Sequence, residues 1–189
     1  AVATTQVEGL KTIVPIAAIS SWYDYYRSNG LVTAPGGYQG EDADNMAEAV
    51  LTRANPAECG NVIKDLTKGM NRATKDAKNV KASVFVVHGL NDWNVKTKQF
   101  ADWWTALEKN NVPTKLWLHQ GGHSNPYNFR KDEWLVTLNK WFDHWLYEID
   151  NDVMEEPKVD IQREDKSWST EEVWPAADNR KTRLYLGVK

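Results

Sequence analysis

Two short stretches carry residues that could do chemistry together. The first, "VVHGLNDWNV" (residues 86–95), ends an apolar run at Gly89 and soon presents Asp92. The second, "LHQGGHSNP" (residues 118–126), ends a similar run and presents His123. A carboxylate beside an imidazole fixes the ring's tautomer and stabilises its protonated form, which lets the histidine act as a general base. Open α/β sheets bind ligands beyond the carboxyl ends of their strands, where both residues fall. Gly121 and Gly122 give the histidine loop backbone freedom. Each residue also has a plain structural reading. Asp92 can cap a turn or the following helix, and His123 can be a satisfied structural histidine. Order, spacing and strand-end placement of the pair together favour catalysis.

The other histidines are weaker candidates. His88 precedes Gly89 at a strand end, His119 lies inside a strand, and His144 sits on the polar side of a helix. No H-E-x-x-H or similar pattern suggests a metal site, so no metal is expected. A base and its orienting acid also need a nucleophile. The α/β-hydrolase order is Ser, then Asp or Glu, then His, with the Ser in a G-x-S-x-G-like elbow. No such elbow occurs here. Ser20 and Ser21 lack flanking glycines, Ser124 adjoins His123, and Cys59 has no strand before it. The nucleophile is expected before residue 1, with the chain starting in or just after the helix that follows the elbow. The chain alone is then expected to be inactive.

The elements that must position these residues follow from periodicity. "GLKTIVPIAAIS" is a continuous apolar run, as suits a buried parallel strand. "SWYDYYRSNG" follows it in the place of a strand-end loop. Residues 41–78 are polar and read as a helical excursion, with "EDADNMAEAVLTRA" its best helix. "ASVFVVHG" is the strongest strand and "TKLWLHQ" the next. Between them Phe100, Trp103, Trp104 and Leu107 form one helical stripe. Trp134, Leu135, Leu138, Trp141, Phe142, Trp145 and Leu146 form another. "EIDNDVMEEP" reads as a linker and "TRLYLG" as a late strand. Strand, excursion, strand, helix, strand, helix is an α/β order with a parallel sheet.

Composition sets the outer limits. The chain has 189 residues, 41% hydrophobic, enough for one sizeable core. A net charge of −3 without a basic run argues against nucleic acid as a partner. No apolar stretch approaches the roughly 20 residues needed to span a membrane. The first residues lack the pattern of a secretory signal, and the single Cys59 fits a reducing compartment. Cytoplasmic location is the expectation. Ten tryptophans suit packing better than a carbohydrate platform.

"VEGLKTIVPIAAISSWYDYYRSNG", "VVHGLNDWNV" and "GGHSNP" together resemble the bacterial X-prolyl dipeptidyl aminopeptidases, over nearly the whole chain. The resemblance implies a serine peptidase that removes Xaa-Pro dipeptides from peptide N-termini without a cofactor. Proline-containing peptides are then the substrates, and the intact protein could be a homodimer. Asp92 and His123 match the family's triad Asp and His, and its Ser falls just before Ala1. The stretch matching "SWYDYY" helps form the family's aromatic proline pocket, which points to Trp22 and Tyr25; plain core packing is the alternative for both. The implied fold is the C-terminal half of an α/β-hydrolase domain over residues 1–150. Residues 151–189 would be a linker and the start of a C-terminal β-sandwich domain, beginning around Pro157. Two other readings stay open: a related hydrolase of acyl or amino-acid esters, and a non-enzymatic α/β binding module.

Overall fold

The computed structural model describes residues 2–21, 24–25, 27–28, 31–32, 72–180, 182–185 and 187. Strand β1 is Thr12–Ile13, and β2 (Arg27–Ser28) and β3 (Leu31–Val32) form a small antiparallel pair. Helix α1 (Arg72–Lys75) and a 3-10 turn (Ala77–Asn79) lead into β4 (Ser83–Gly89). Then come α2 (Thr97–Lys109), β5 (Thr114–His119), α3 (Lys131–Tyr147), β6 (Val159–Gln162) and β7 (Trp168–Glu171). The main sheet runs β1-β4-β5-β6-β7, parallel from β1 to β6, with β7 antiparallel at the edge. This is the expected α/β class. The helical excursion expected over 41–78 lies outside the described residues up to residue 71.

β4 and β5 are buried at every position, which explains their continuous apolar runs. Successive side chains point to opposite faces. Val84, Val86, Leu116 and Leu118 face α2 and pack with Phe100, Trp103, Trp104 and Leu107. Phe85, Val87 and Trp117 face α3 and pack with Trp134 and Trp141. The expected α2 stripe is wholly buried. The α3 stripe is narrower than expected, because Leu135 and Leu146 are exposed. Trp103, Trp104, Trp117, Trp134 and Trp141 are core, in line with the packing reading, whereas Trp93 is exposed.

Two strand expectations change. "GLKTIVPIAAIS" forms a much shorter strand than its apolar run suggested. Pro15 has no N–H to continue the ladder, and Ala17 turns the chain at φ 50°. Contact with β4 resumes through one bridge, Ile16 to Val87. After residue 150 the chain stays close to the sheet: Val153 is buried with Phe85 and Trp117. The β-rich stretch beyond it is hydrogen-bonded directly to β5, with Leu116 opposite Val159. Residues 182–185 of "TRLYLG" form no strand, and Leu184 and Tyr185 are exposed. Strand-favouring residues need a partner edge to pair with, and these have none among the described residues.

Phe85 is fully buried, and the rings of Trp117, Trp134 and Trp141 lie around it with centroids 6.1, 5.4 and 5.5 Å away. Phe85→Ala should therefore cost about 3–5 kcal/mol, read as a fall in the urea midpoint. A loss below about 1 kcal/mol would mean that the cluster collapses into the gap.

Candidate active site

Parallel pairing of β4 and β5 puts their carboxyl ends at the same level, with Gly89 opposite His119. The loops beyond them are joined directly. Leu90 N–H donates to the His119 carbonyl at 2.7 Å, and Asn91 N–H to that of Gly121 at 3.2 Å. The Asn91 side chain adds a bond to the Gln120 carbonyl at 2.8 Å. Gly89 is required here. A Cβ on it would lie 2.2 Å from the Gly122 oxygen and 2.5 Å from that of Gly121.

Within this stitched pair of loops, Asp92 and His123 meet. His123 Nδ1 lies 2.9 Å from Asp92 Oδ2. The other carboxylate oxygen, Oδ1, accepts the N–H groups of Asn94 and Val95 at 2.8 and 2.9 Å. Asp92 thus caps its own turn and faces the imidazole at once. Its side chain is 0% exposed, whereas that of His123 is 51% exposed. The carboxylate works in a water-poor setting, and the ring's far edge opens outward. Among the described residues nothing hydrogen-bonds His123 Nε2.

Two buried histidines support the loops from below. His88 Nε2 contacts the Val95 carbonyl at 2.9 Å, so it donates, and its ring packs on Phe100. His119 Nδ1 accepts the Gly121 N–H at 3.1 Å, and its ring lies against Phe129. Burial lowers the pKa of both, with the Val95 bond partly opposing it at His88. His119 is brought down to about 4. Among the described residues no group of three His, Cys, Asp or Glu could hold a metal ion. Strand β6 holds the histidine loop from the side, since Gln120 donates its backbone N–H to Gln162 Oε1 at 3.0 Å and its side-chain Nε2 to the Gln162 carbonyl at 3.1 Å.

Tyr25 is buried, and its hydroxyl donates to Asn94 Oδ1 beside Asp92. It is thus linked to the acidic loop. Trp22 lies outside the described residues. Ser20 is committed elsewhere: its hydroxyl donates to the Gln99 carbonyl at 2.6 Å. The sequence reading missed Gln99, Asn94 and Gln162 as supports. Only Gln99 left a trace, as a polar residue flanking the apolar stripe of α2.

The sequence model of one family, X-Pro dipeptidyl-peptidase (S15 family), matches residues 1–74 and 64–125. The chain belongs to this family. A Bacillus anthracis protein, provisionally named a Xaa-Pro dipeptidyl-peptidase, is 65% identical over 100% of this chain and 34% of its own length. The Xaa-Pro dipeptidyl-peptidase of Ligilactobacillus salivarius is 41% identical over 98% of the chain and 26% of its own length. This S15-family chain therefore spans about a third or less of the curated relatives named here. Among solved structures, a CocE/NonD family hydrolase from Staphylococcus aureus overlays with a TM-score of 0.71. It is 17% identical and aligns with 98% of this chain and 34% of its own. An acylaminoacyl peptidase from Pyrococcus horikoshii gives 0.53 at 20% identity, over 81% of this chain and 23% of its own. These overlays support the α/β-hydrolase type of fold for the S15-family chain.

The lowered histidine pKa values carry a pH signature. A neutral histidine in the folded state, with a pKa below its unfolded value of 6.5, leaves stability intact above that pH. Between pH 6.5 and about 4 the unfolded chain takes up protons that His119 refuses in the fold, so stability falls. His119→Gln should flatten this part of the urea-midpoint profile relative to the parent. Equal slopes in the two proteins would show that His119 does not carry the effect.

Proposed function

We propose that this chain supplies the general base and its orienting acid to a serine Xaa-Pro dipeptidyl-peptidase. The observation carrying the proposal is the 2.9 Å contact between His123 Nδ1 and the buried carboxylate of Asp92. In this reading a serine comes from a segment preceding residue 1 in the full-length protein. His123 Nε2 takes the serine proton as Oγ attacks the carbonyl after proline, and Asp92 stabilises the imidazolium that forms. The proton then passes to the leaving amine, and water repeats the sequence to release the dipeptide. No cofactor is needed. Residues 1–150 belong to the catalytic domain, and residues 151–189 lead toward a C-terminal β-sandwich domain.

Trp22 and Tyr25 are assigned to the pocket for the substrate proline, whose ring stacks well on aromatic faces. Support for Tyr25 comes from its bond to Asn94, which places it within one residue contact of Asp92. The chain by itself is expected to be inactive, because a base and an acid cannot form an acyl intermediate without the nucleophile.

In the full-length protein, His123→Ala should lower kcat on an Ala-Pro anilide by roughly 10³-fold or more, with Asp92→Asn nearly as severe. Near-normal turnover by a folded His123→Ala protein would remove the assignment, and a preference of the parent for simple esters would redirect the substrate class. Trp22→Ala and Tyr25→Ala should weaken Ala-Pro cleavage more than Ala-Ala cleavage. Equal losses on both, with reduced stability, would assign these aromatics to packing.

A further inference from the structure

We propose that Gln99 is a positioning residue for the proline pocket: from the first turn of α2 it holds the backbone that leads into Tyr25 in place against the Asp92 loop. This rests on the pocket assignment made above and adds to it the group that sets the pocket's position.

Gln99 is 2% exposed and lies far in sequence from everything its side chain touches. Its Oε1 accepts the N–H groups of Ser20 and Ser21 at 3.0 and 2.8 Å. Its Nε2 donates to the Ser21 carbonyl at 3.1 Å. Its own backbone carbonyl accepts the Ser20 hydroxyl. Two backbone N–H groups and the Ser20 hydroxyl lie within hydrogen-bond distance of the amide oxygen, and one carbonyl meets the amide nitrogen, so the partners themselves set the orientation of the amide.

The same Ser21 carbonyl accepts the backbone N–H of Tyr25 at 3.0 Å. Gln99 and Tyr25 therefore share one acceptor. Tyr25 is held at its other end by Asn94, which in turn donates to Asp92. A charged contact runs alongside, from Lys98 Nζ to Asp24 Oδ2 at 3.5 Å. Gln99 thus closes a ring of contacts from α2 through Ser21, Tyr25 and Asn94 to Asp92, and the chain from Asp92 returns to α2 within a few residues.

A glutamine near a helix start often serves the helix, reaching back to the backbone N–H of the cap residue. Here the side chain does not. The cap residue, Lys96, makes no side-chain capping bond, and the Gln99 amide bonds Ser20 and Ser21 through both its oxygen and its nitrogen. Its removal would take away the acceptor that the Ser20 and Ser21 N–H groups share, in the turn that leads into Tyr25. The amide supplies both an acceptor and a donor at this place whatever the pH. An ionised carboxylate would keep the acceptor and set a negative charge against the Ser21 carbonyl.

The test uses the full-length protein and two probes, Ala-Pro and Ala-Ala anilides. For Gln99→Leu, the ratio of kcat/KM on Ala-Pro to that on Ala-Ala should fall about tenfold or more, with the loss larger in KM than in kcat. Gln99→Glu keeps the shape and tests the hydrogen-bond pattern should the leucine protein not fold. Its ratio should be low near about pH 8 and recover toward about pH 6, as burial favours the protonated acid that reproduces the missing donor. Protonation of His123 affects both substrates and cancels in the ratio. The parent protein measured over the same range accounts for Asp24, Lys98 and Asp102 nearby. A ratio unchanged in folded Gln99→Leu, or a Gln99→Glu ratio that tracks the parent at every pH, would overturn the inference while the peptidase reading stands. A parent protein without preference for Ala-Pro would overturn that reading and this inference with it.

Discussion

The close approach of β4 to the histidine loop is the constraint on which the site depends. Gly89 ends β4 where the carbonyls of Gly121 and Gly122 leave no room for a Cβ. That contact requires β4 and β5 to pair with Gly89 opposite His119. A slip of one residue would exchange the two faces of β5, placing Trp117 against α2 and Leu118 against α3. The register that buries the right side chains is the register that brings Asp92 to His123.

Packing on the two faces makes that register costly to leave. Phe85 and Trp117 engage α3, while Val86 and Leu118 engage α2. Polar groups beneath the loops add directional bonds where packing alone would be indifferent. His88 holds Val95, His119 holds Gly121, and Gln162 holds Gln120. Both imidazoles leave one ring nitrogen, His88 Nδ1 and His119 Nε2, buried without a partner. Each such atom costs about 1–3 kcal/mol. Leucines would avoid that cost, but they could not hold a loop backbone in place.

The legible parts of the molecule were those whose signal is local. The buried runs of β4 and β5 and the stripe of α2 announce themselves within a few residues each. The meeting of Asp92 and His123 was legible because both fall just past strong strands. What stayed hidden depends on distant partners. The short, polar "VDIQ" of β6 is a strand because β5 offers it an edge. Gln99 matters because Ser20 and Ser21 come to it from the far end of the chain. Pro15 misled in the other direction, cutting short a run whose apolar composition promised a longer strand. Trp22 and most of the excursion fall outside the described residues.

Asp92 shows why a structural and a catalytic reading of one residue need not compete. An aspartate that only capped its turn would bond Asn94 and Val95 and go no further. One that only faced an imidazole would be free to rotate about its own side chain, and the histidine would inherit that freedom. Here Oδ1 is held by two backbone N–H groups, so the direction of Oδ2 is set before His123 approaches it. The turn-capping bonds are what make the carboxylate a fixed reference for the ring. The residue can orient its partner because it is itself oriented, and the exposed edge of His123 takes its direction from a turn several bonds away.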